Sequence, residues 1–257
     1  MSVGFAAGEE RWRARLGTLR QVVRQEVVAR QLAECLPDLP PRRVLDIGCG
    51  QGTQALLIAR RGHVVTGLDS SAQLLDDFRA ELATEPAAVA DRVRLVQGEA
   101  EAITDTFTPS SFDVVLCQGV LMYFPDPGPL LDAIARVVVP GGIVSLLVRN
   151  GDALAMRPGL SGDWAACRSA FGSDRYENRI GVSARADRLA DLTSRLAGHG
   201  LGVTAWYGVR IFTDIAPSDA ELPPDLASLL ECEERAGRTD PYRQVAALLH
   251  VIARKGE

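Results

Sequence analysis

The chain has 257 residues, 47% of them hydrophobic and 24% charged, with a formal net charge of −5. That length suits one large α/β domain with insertions, spanning 1–257. No apolar run reaches the ~20 residues that cross a bilayer. The acidic balance disfavours binding along extended nucleic acid, which requires many phosphate-neutralising cations on one face. An anionic ligand held in a local arginine-lined pocket remains compatible with it. Arginine does nearly all the cationic work, since Lys255 is the sole lysine. Five scattered cysteines without a C-x-x-C pair, and no secretory signal at Met1–Phe5, point to the cytoplasm.

In chain order, apolar residues from Leu19 to Leu36 recur at helical spacing and predict a cap helix over 9–36, closed by Pro37, Pro40 and Pro41. Strand one, Val44–Ile47, runs into Gly48-Cys49-Gly50-Gln51-Gly52 and a helix from Gln54 to Arg61. The glycines allow the backbone to approach a ligand, and Asp46 inside the turn suits an ammonium group better than a phosphate. Strand two, His63–Leu68, ends in Asp69, whose carboxylate can accept both hydroxyls of a ribose. A helix over 72–82 follows, then strand three, Val93–Gln97, leading into Gly98-Glu99-Ala100-Glu101. Strand four, Asp113–Cys117, reaches Gln118 and an aromatic segment containing Tyr123. A helix over 129–138 precedes the turn Pro140-Gly141-Gly142 and strand five, Ile143–Val148. Residues 151–183 form an irregular insertion at the carboxyl rim, where α/β sheets bind ligands. A helix over 184–197, strand six over 203–212, a second insertion over 213–243 and strand seven over 245–253 complete the chain.

Asp46-x-Gly48-x-Gly50-x-Gly52 after a strand resembles motif I of the class I S-adenosylmethionine (SAM) methyltransferases. The strand ends that follow it agree in order. The resemblance implies a Rossmann-like α/β fold, with helices on both faces of a seven-stranded sheet. Its strand order would be 3-2-1-4-5-7-6, with strand seven antiparallel. It also implies SAM as cofactor, with Glu99, Ala100 and Glu101 in the loop that reads the adenine edge. Longer segments are similar to the bacterial tRNA methyltransferases that esterify 5-carboxymethoxyuridine. They include Gly17-Thr18-Leu19-Arg20-Gln21, Arg61-Gly62-His63, Gly208-Val209-Arg210-Ile211-Phe212 and Asp240-Pro241-Tyr242 leading to His250-Val251. By that resemblance Arg20, Gly48, Cys49, Asp69, Ala100, Glu101 and Gln118 fall at SAM-contacting positions; the family has His where Gln118 stands. The family's lysine-rich run is replaced here by Ser173–Gly181, which puts tRNA binding in doubt. The opening Arg11-Trp12-Arg13-Ala14-Arg15 also resembles an actinobacterial branch that includes O-methyltransferases of methylmannose polysaccharide synthesis.

Methyl transfer needs in-line approach and desolvation; acceptors differ in whether a proton must leave. A carboxylate needs no base, whereas a sugar hydroxyl needs a base or a metal. The fold implied by the resemblance puts His63 and His199 at the remote rim and leaves His250 as the one histidine near the reaction, as base or as core residue. Asp152 with Asn150 is the alternative, through Mg²⁺. Arg20 is expected over the cofactor carboxylate, or on a solvated helix face. Trp12, Tyr123, Arg149, Asn150 and Arg210 are expected on the acceptor side, with core packing as the alternative for Trp12. The leading expectation is an O-methyltransferase acting on the hydroxyl of a small or carbohydrate acceptor, a mannoside above all, with homodimerisation open. The alternatives are a tRNA carboxyl methyltransferase and a SAM-binding protein without turnover.

Overall fold

The computed structural model describes residues 8–257. Seven strands form one sheet: β1 (Arg43–Ile47), β2 (Val64–Asp69), β3 (Val93–Gln97), β4 (Phe112–Gln118), β5 (Val138–Arg149), β8 (Leu201–Val209) and β9 (Leu248–Lys255). Their order is β3-β2-β1-β4-β5-β9-β8, and β9 runs antiparallel to both neighbours. With β8 and β9 as the sixth and seventh strands of this sheet, that is the order and polarity implied by the resemblance. The central strands are buried along almost their whole length, as parallel strands covered on both faces must be. Two apolar clusters lie against the sheet. One gathers Leu45, Ile47, Leu131, Ile134 and Leu146; the other gathers Leu32, Val44, Leu56, Phe78 and Leu116.

Several boundaries differ from the sequence reading, each for a local reason. The expected helix over 9–36 is two helices, α1 (Glu9–Arg13) and α2 (Leu19–Cys35), because Gly17 takes a φ of 83° that no helix accommodates. The helix expected over 184–197 begins only at Leu189, and Ser183–Arg185 is β7. It pairs antiparallel with β6 (Arg175–Glu177), and its burial alternates with the period of a strand, Ala184 and Ala186 inward. The rest of the 151–183 segment holds two short helices, α3 (Met156–Leu160) and α4 (Trp164–Ala170). Strand β5 starts at Val138, with Pro140-Gly141-Gly142 inside it and a register shift opposite Phe112 and Val114. Strand β8 ends at Val209 because Arg210 turns into a left-handed conformation, φ 59°. The long helix of the second insertion is α5 (Leu226–Ala236). Among the described residues, no helix is long and apolar enough to cross a membrane.

Candidate active site

Two adjoining cavities open at the carboxyl rim of the sheet. The first is lined by Asp46, Gly48, Cys49, Gly50, Asp69, Glu99, Ala100, Glu101 and Gln118, with Trp12, Tyr123 and Arg24 beside them. The loop after β1 is shaped by glycine: Gly48 and Gly52 have φ of 66° and 85°. A Cβ on Gly48 would stand 2.4 Å from Val120, and one on Gly52 2.2 Å from the Phe78 ring. The Asp69 carboxylate accepts from the Gly50 N–H at 2.8 Å and the Ser71 N–H at 2.9 Å, which fixes it at the end of β2. Asp46 is buried at the end of β1. Burial, and then the neighbouring Asp69 charge, push its carboxyl up to about 7 against the opposing pull of Arg24. A cavity wall with a carboxyl held near neutrality is suited to a cationic ligand group.

The second cavity shares Trp12, Arg24, Gly119, Tyr123 and Leu147 with the first. Among the described residues seven arginines line it, Arg15, Arg20, Arg24, Arg149, Arg157, Arg179 and Arg210, and no carboxylate does. Behind the wall a single buried carboxylate, Asp214, takes ion pairs from Arg20 at 3.0 Å, Arg210 at 3.3 Å and Arg149 at 3.4 Å. Burial alone would raise the Asp214 carboxyl, but Arg210, Arg149 and Arg20 together hold it well below the usual carboxylate range. Burial, and then Arg210, bring the Arg20 guanidinium down to about 9. The Nε–H groups of Arg20, Arg149 and Arg210 are buried without a hydrogen-bond partner. Three guanidiniums against one carboxylate, with donors left over, constitute a site for an anion. A shallower mouth continues outward through Arg11, Arg15, Arg157 and Arg179.

Most sequence-nominated residues meet here, but four change place or task. Arg20 lines the second cavity rather than the first. Arg24, one turn further along α2, lines both, donates to the Gln118 carbonyl at 2.9 Å and lies 5.3 Å from the Trp12 ring centre. His250 lines neither cavity; it is fully buried, bonded on both ring nitrogens, and burial depresses its imidazole to about 3. Asp152 is exposed and ion-paired to Arg188. The Asn150 amide is committed to backbone: Nδ2 donates to Gln244 and Ala246 carbonyls, and Oδ1 accepts from the Asp152 N–H. That pair therefore offers no cation site, and no cluster of three potential metal-ligating His, Cys, Asp or Glu exists among the described residues. Arg149, Arg210 and Tyr123 line the second cavity. The segment Ser173–Gly181, standing where the resembled family has lysines, supplies Tyr176, Asn178 and Arg179 to that wall.

A methyltransferase-domain family model matches residues 45–146. The tRNA 5-carboxymethoxyuridine methyltransferase of Escherichia coli strain K12 is 30% identical over 241 residues, covering 93% of this chain and 90% of that protein. The chain belongs to the class I SAM-dependent methyltransferases. A ubiquinone biosynthesis O-methyltransferase from Alkalilimnicola ehrlichii is 42% identical, but over 121 residues, 46% of this chain and 47% of that one. A SAM-dependent methyltransferase structure from Mesorhizobium loti superposes with a TM-score of 0.62 at 21% identity, covering 88% and 96%, and shares the fold. The similarity to the methyltransferases of the ubiquinone pathway is confined to about half the chain. The tRNA enzyme's similarity runs on through the arginine-bearing insertions.

Proposed function

We propose that this methyltransferase esterifies a carboxylate, and that its acceptor is a carboxymethoxy-type wobble nucleotide of tRNA. The observation that carries this reading is the second cavity: seven arginines, no carboxylate in the wall, and no group able to take a proton. Tyr123 and Tyr176 have phenols pushed up by burial, and Asp214 is held ionised by its arginines. A hydroxyl acceptor would need a base or metal there; a carboxylate brings its own nucleophilic lone pair. The expectation of a mannoside hydroxyl came from the resemblance of the opening segment and the missing lysine run; such an acceptor would need His250, or Asp152 with Asn150, to activate it, and none of the three lines this cavity. The mouth, with Arg11, Arg15, Arg157 and Arg179 against Glu177, supplies local positive charge in place of the missing lysine run and against the net acidic charge of the chain.

SAM supplies an electrophilic methyl on a positively charged sulfur. Held by Asp46, Asp69 and the Gly48–Gly50 turn, it would offer that methyl to a carboxylate lone pair, with the S–CH₃ bonding pair left on sulfur, so no proton would have to leave the acceptor. In this reading Asp69 accepts the ribose hydroxyls, Asp46 faces the amino group, and the Gly48–Gly50 turn lets the backbone approach. Arg149 and Arg210 hold the acceptor anion, and Trp12 and Tyr123 exclude water from the shared boundary.

The deciding assay offers tRNA carrying the unesterified carboxymethoxy group against a panel of mannosides. Ester formation on the RNA is expected, with affinity falling steeply as salt rises and a rate flat above about pH 5. Transfer to mannosides alone would overturn the reading. Chelation by EDTA and Asp152→Ala should each leave the rate within about twofold, where loss of a general base would cost ~10²–10⁴. Asp69→Ala should weaken both SAM and S-adenosylhomocysteine by ~10- to 100-fold, since two buried ribose hydroxyls lose their acceptor.

Asp46 predicts a pH dependence. Between the ordinary carboxyl range near 4 and about 7, the folded protein keeps a proton that the unfolded chain releases. Ionising Asp46 therefore opposes folding, and this contribution to the stability of the ligand-free protein falls as pH rises through that window. A cationic amino group reverses the balance by drawing off the proton. SAM affinity should then rise by ~10-fold from pH 6 to a plateau above 7, with uptake of the released proton by buffer visible in calorimetry. Asp46→Asn should bind more weakly and show no such slope; an unchanged slope would remove Asp46 from the amino group.

A further inference from the structure

Beneath the seam of the two cavities runs a chain of four side chains, buried except at the end that meets the first cavity. Gln31 Nε2 donates to the Gly208 carbonyl at 3.2 Å, and Gln31 Oε1 lies 2.8 Å from His250 Nδ1. His250 Nε2 lies 2.9 Å from Ser145 Oγ, which lies 2.9 Å from Gln118 Nε2. Gln31, Ser145 and His250 are fully buried. Strand register brings them together: Gln118 pairs with Leu147, Leu147 pairs with His250, and Ser145 lies two residues before Leu147 on the same face.

The direction of every bond follows from one atom that cannot reverse. The Gly208 carbonyl only accepts, so the Gln31 amide nitrogen faces it and the Gln31 oxygen faces His250. His250 then carries its proton on Nδ1 and offers a lone pair on Nε2. The single Ser145 proton goes to that lone pair, so Ser145 can only accept from Gln118. The Gln118 nitrogen is thereby turned inward, leaving Oε1 as the amide atom for the cavity. Burial keeps the imidazole neutral, in agreement with this sequence of bonds.

We propose that the relay from Gln31 through His250 and Ser145 presents Gln118 Oε1 as an acceptor at the seam, favouring the positively charged methyl donor over its neutral demethylated product. Gln118 lines the first cavity, and its neighbour Gly119 and strand partner Leu147 line both. A methyl group passing between the cavities must cross there. An oxygen bearing partial negative charge attracts the polarised C–H bonds of a methyl on cationic sulfur, and that attraction fades once the methyl has left. His250 is thus a positioning residue, acting through Ser145 and Gln118. The inference rests on the reading of the first cavity as the cofactor site.

Calorimetric titration of SAM and S-adenosylhomocysteine against Ser145→Ala, His250→Leu and His250→Gln tests it. SAM affinity should fall about three- to tenfold in Ser145→Ala and His250→Leu, with S-adenosylhomocysteine within about twofold of wild type. His250→Gln should keep the wild-type ratio, because its amide can donate to Gln31 and accept from Ser145. Long-range ¹H–¹⁵N correlation, on a chain with three histidines, should show His250 as the neutral Nδ1–H tautomer. An Nε2–H tautomer, or equal weakening of both ligands in Ser145→Ala, would overturn the proposal. If His250→Leu does not fold, Ser145→Ala and the tautomer still decide. Asp69→Ala separates the two readings: if it leaves S-adenosylhomocysteine binding unchanged, the cofactor placement is at fault rather than the relay.

Discussion

Arg149→Met and Arg210→Met are each expected to lower kcat/KM toward the carboxylate acceptor by ~10²–10³, while SAM affinity stays within about threefold. The magnitude follows from removing one partner of a desolvated, hydrogen-bonded charge pair, ~2–5 kcal/mol, with ~1.4 kcal/mol per tenfold. Both guanidiniums are buried, both hold Asp214, and both retain an unpartnered Nε–H. The fold should tolerate either change, because Asp214 keeps two arginines and the excess of positive charge is reduced. A thermal melt at or slightly above the wild-type temperature would accompany the lost activity. Arg149→Lys should recover little, since an ammonium lacks the planar fork and the contact that Arg149 makes 5.4 Å over the Tyr176 ring. Full kcat/KM in both Met variants would show that the acceptor is not bound as an anion here.

The same cluster shows what a linear reading captures and what it misses. The Gly48–Gly52 turn and the acidic ends of β1 and β2 are local patterns, one backbone conformation or one strand end each. They were legible, and the sheet order followed from the family they resemble. Arg20 and Arg24 illustrate the first limit. Residues four apart lie on one helix face, so periodicity identifies the stripe but not which turn overhangs which cavity. His250 illustrates the second. Its topology was read correctly at the start of β9, yet whether its ring faces a cavity or Gln31 depends on a residue 219 positions earlier. Asp214 and Glu233 went unnoticed altogether. Their importance comes from partners on other elements, and no motif flanks either of them. An acidic residue shortly after an isolated strand-end arginine, as Asp214 follows Arg210, was the available signal.

Glu233→Ala is expected to be the most destabilising of these substitutions, by ~3–5 kcal/mol, and to abolish carboxylate methylation at temperatures where the variant stays folded. Glu233 projects from α5 and is fully buried. Its Oε2 accepts from the Ile211 N–H at 2.7 Å; its Oε1 accepts from the Phe212 N–H at 3.1 Å, the Thr213 N–H at 2.9 Å and the Thr213 hydroxyl at 2.7 Å. Three consecutive backbone donors and one hydroxyl converge on this carboxylate, the Thr213 pair fully buried and the other two partly, and a buried donor left unmade costs ~1–3 kcal/mol. The clamp matters for chemistry because Arg210 and Asp214 flank those residues. Arg210 sits in a left-handed conformation, φ 59°, that an ordinary side chain adopts only under constraint. Released from Glu233, the segment relaxes, Arg210 leaves the acceptor wall, and Asp214 no longer anchors Arg20 and Arg149 from behind it. Glu233→Gln separates the charge from the geometry: its oxygen can keep the Phe212 and Thr213 bonds, but its NH₂ opposes the Ile211 N–H. An intermediate melting temperature with partial activity is therefore expected, from chemical denaturation and single-turnover assays on the same samples. A Glu233→Ala protein that melts within ~0.5 kcal/mol of wild type and still esterifies its acceptor would show that the loop holds Arg210 in place by itself.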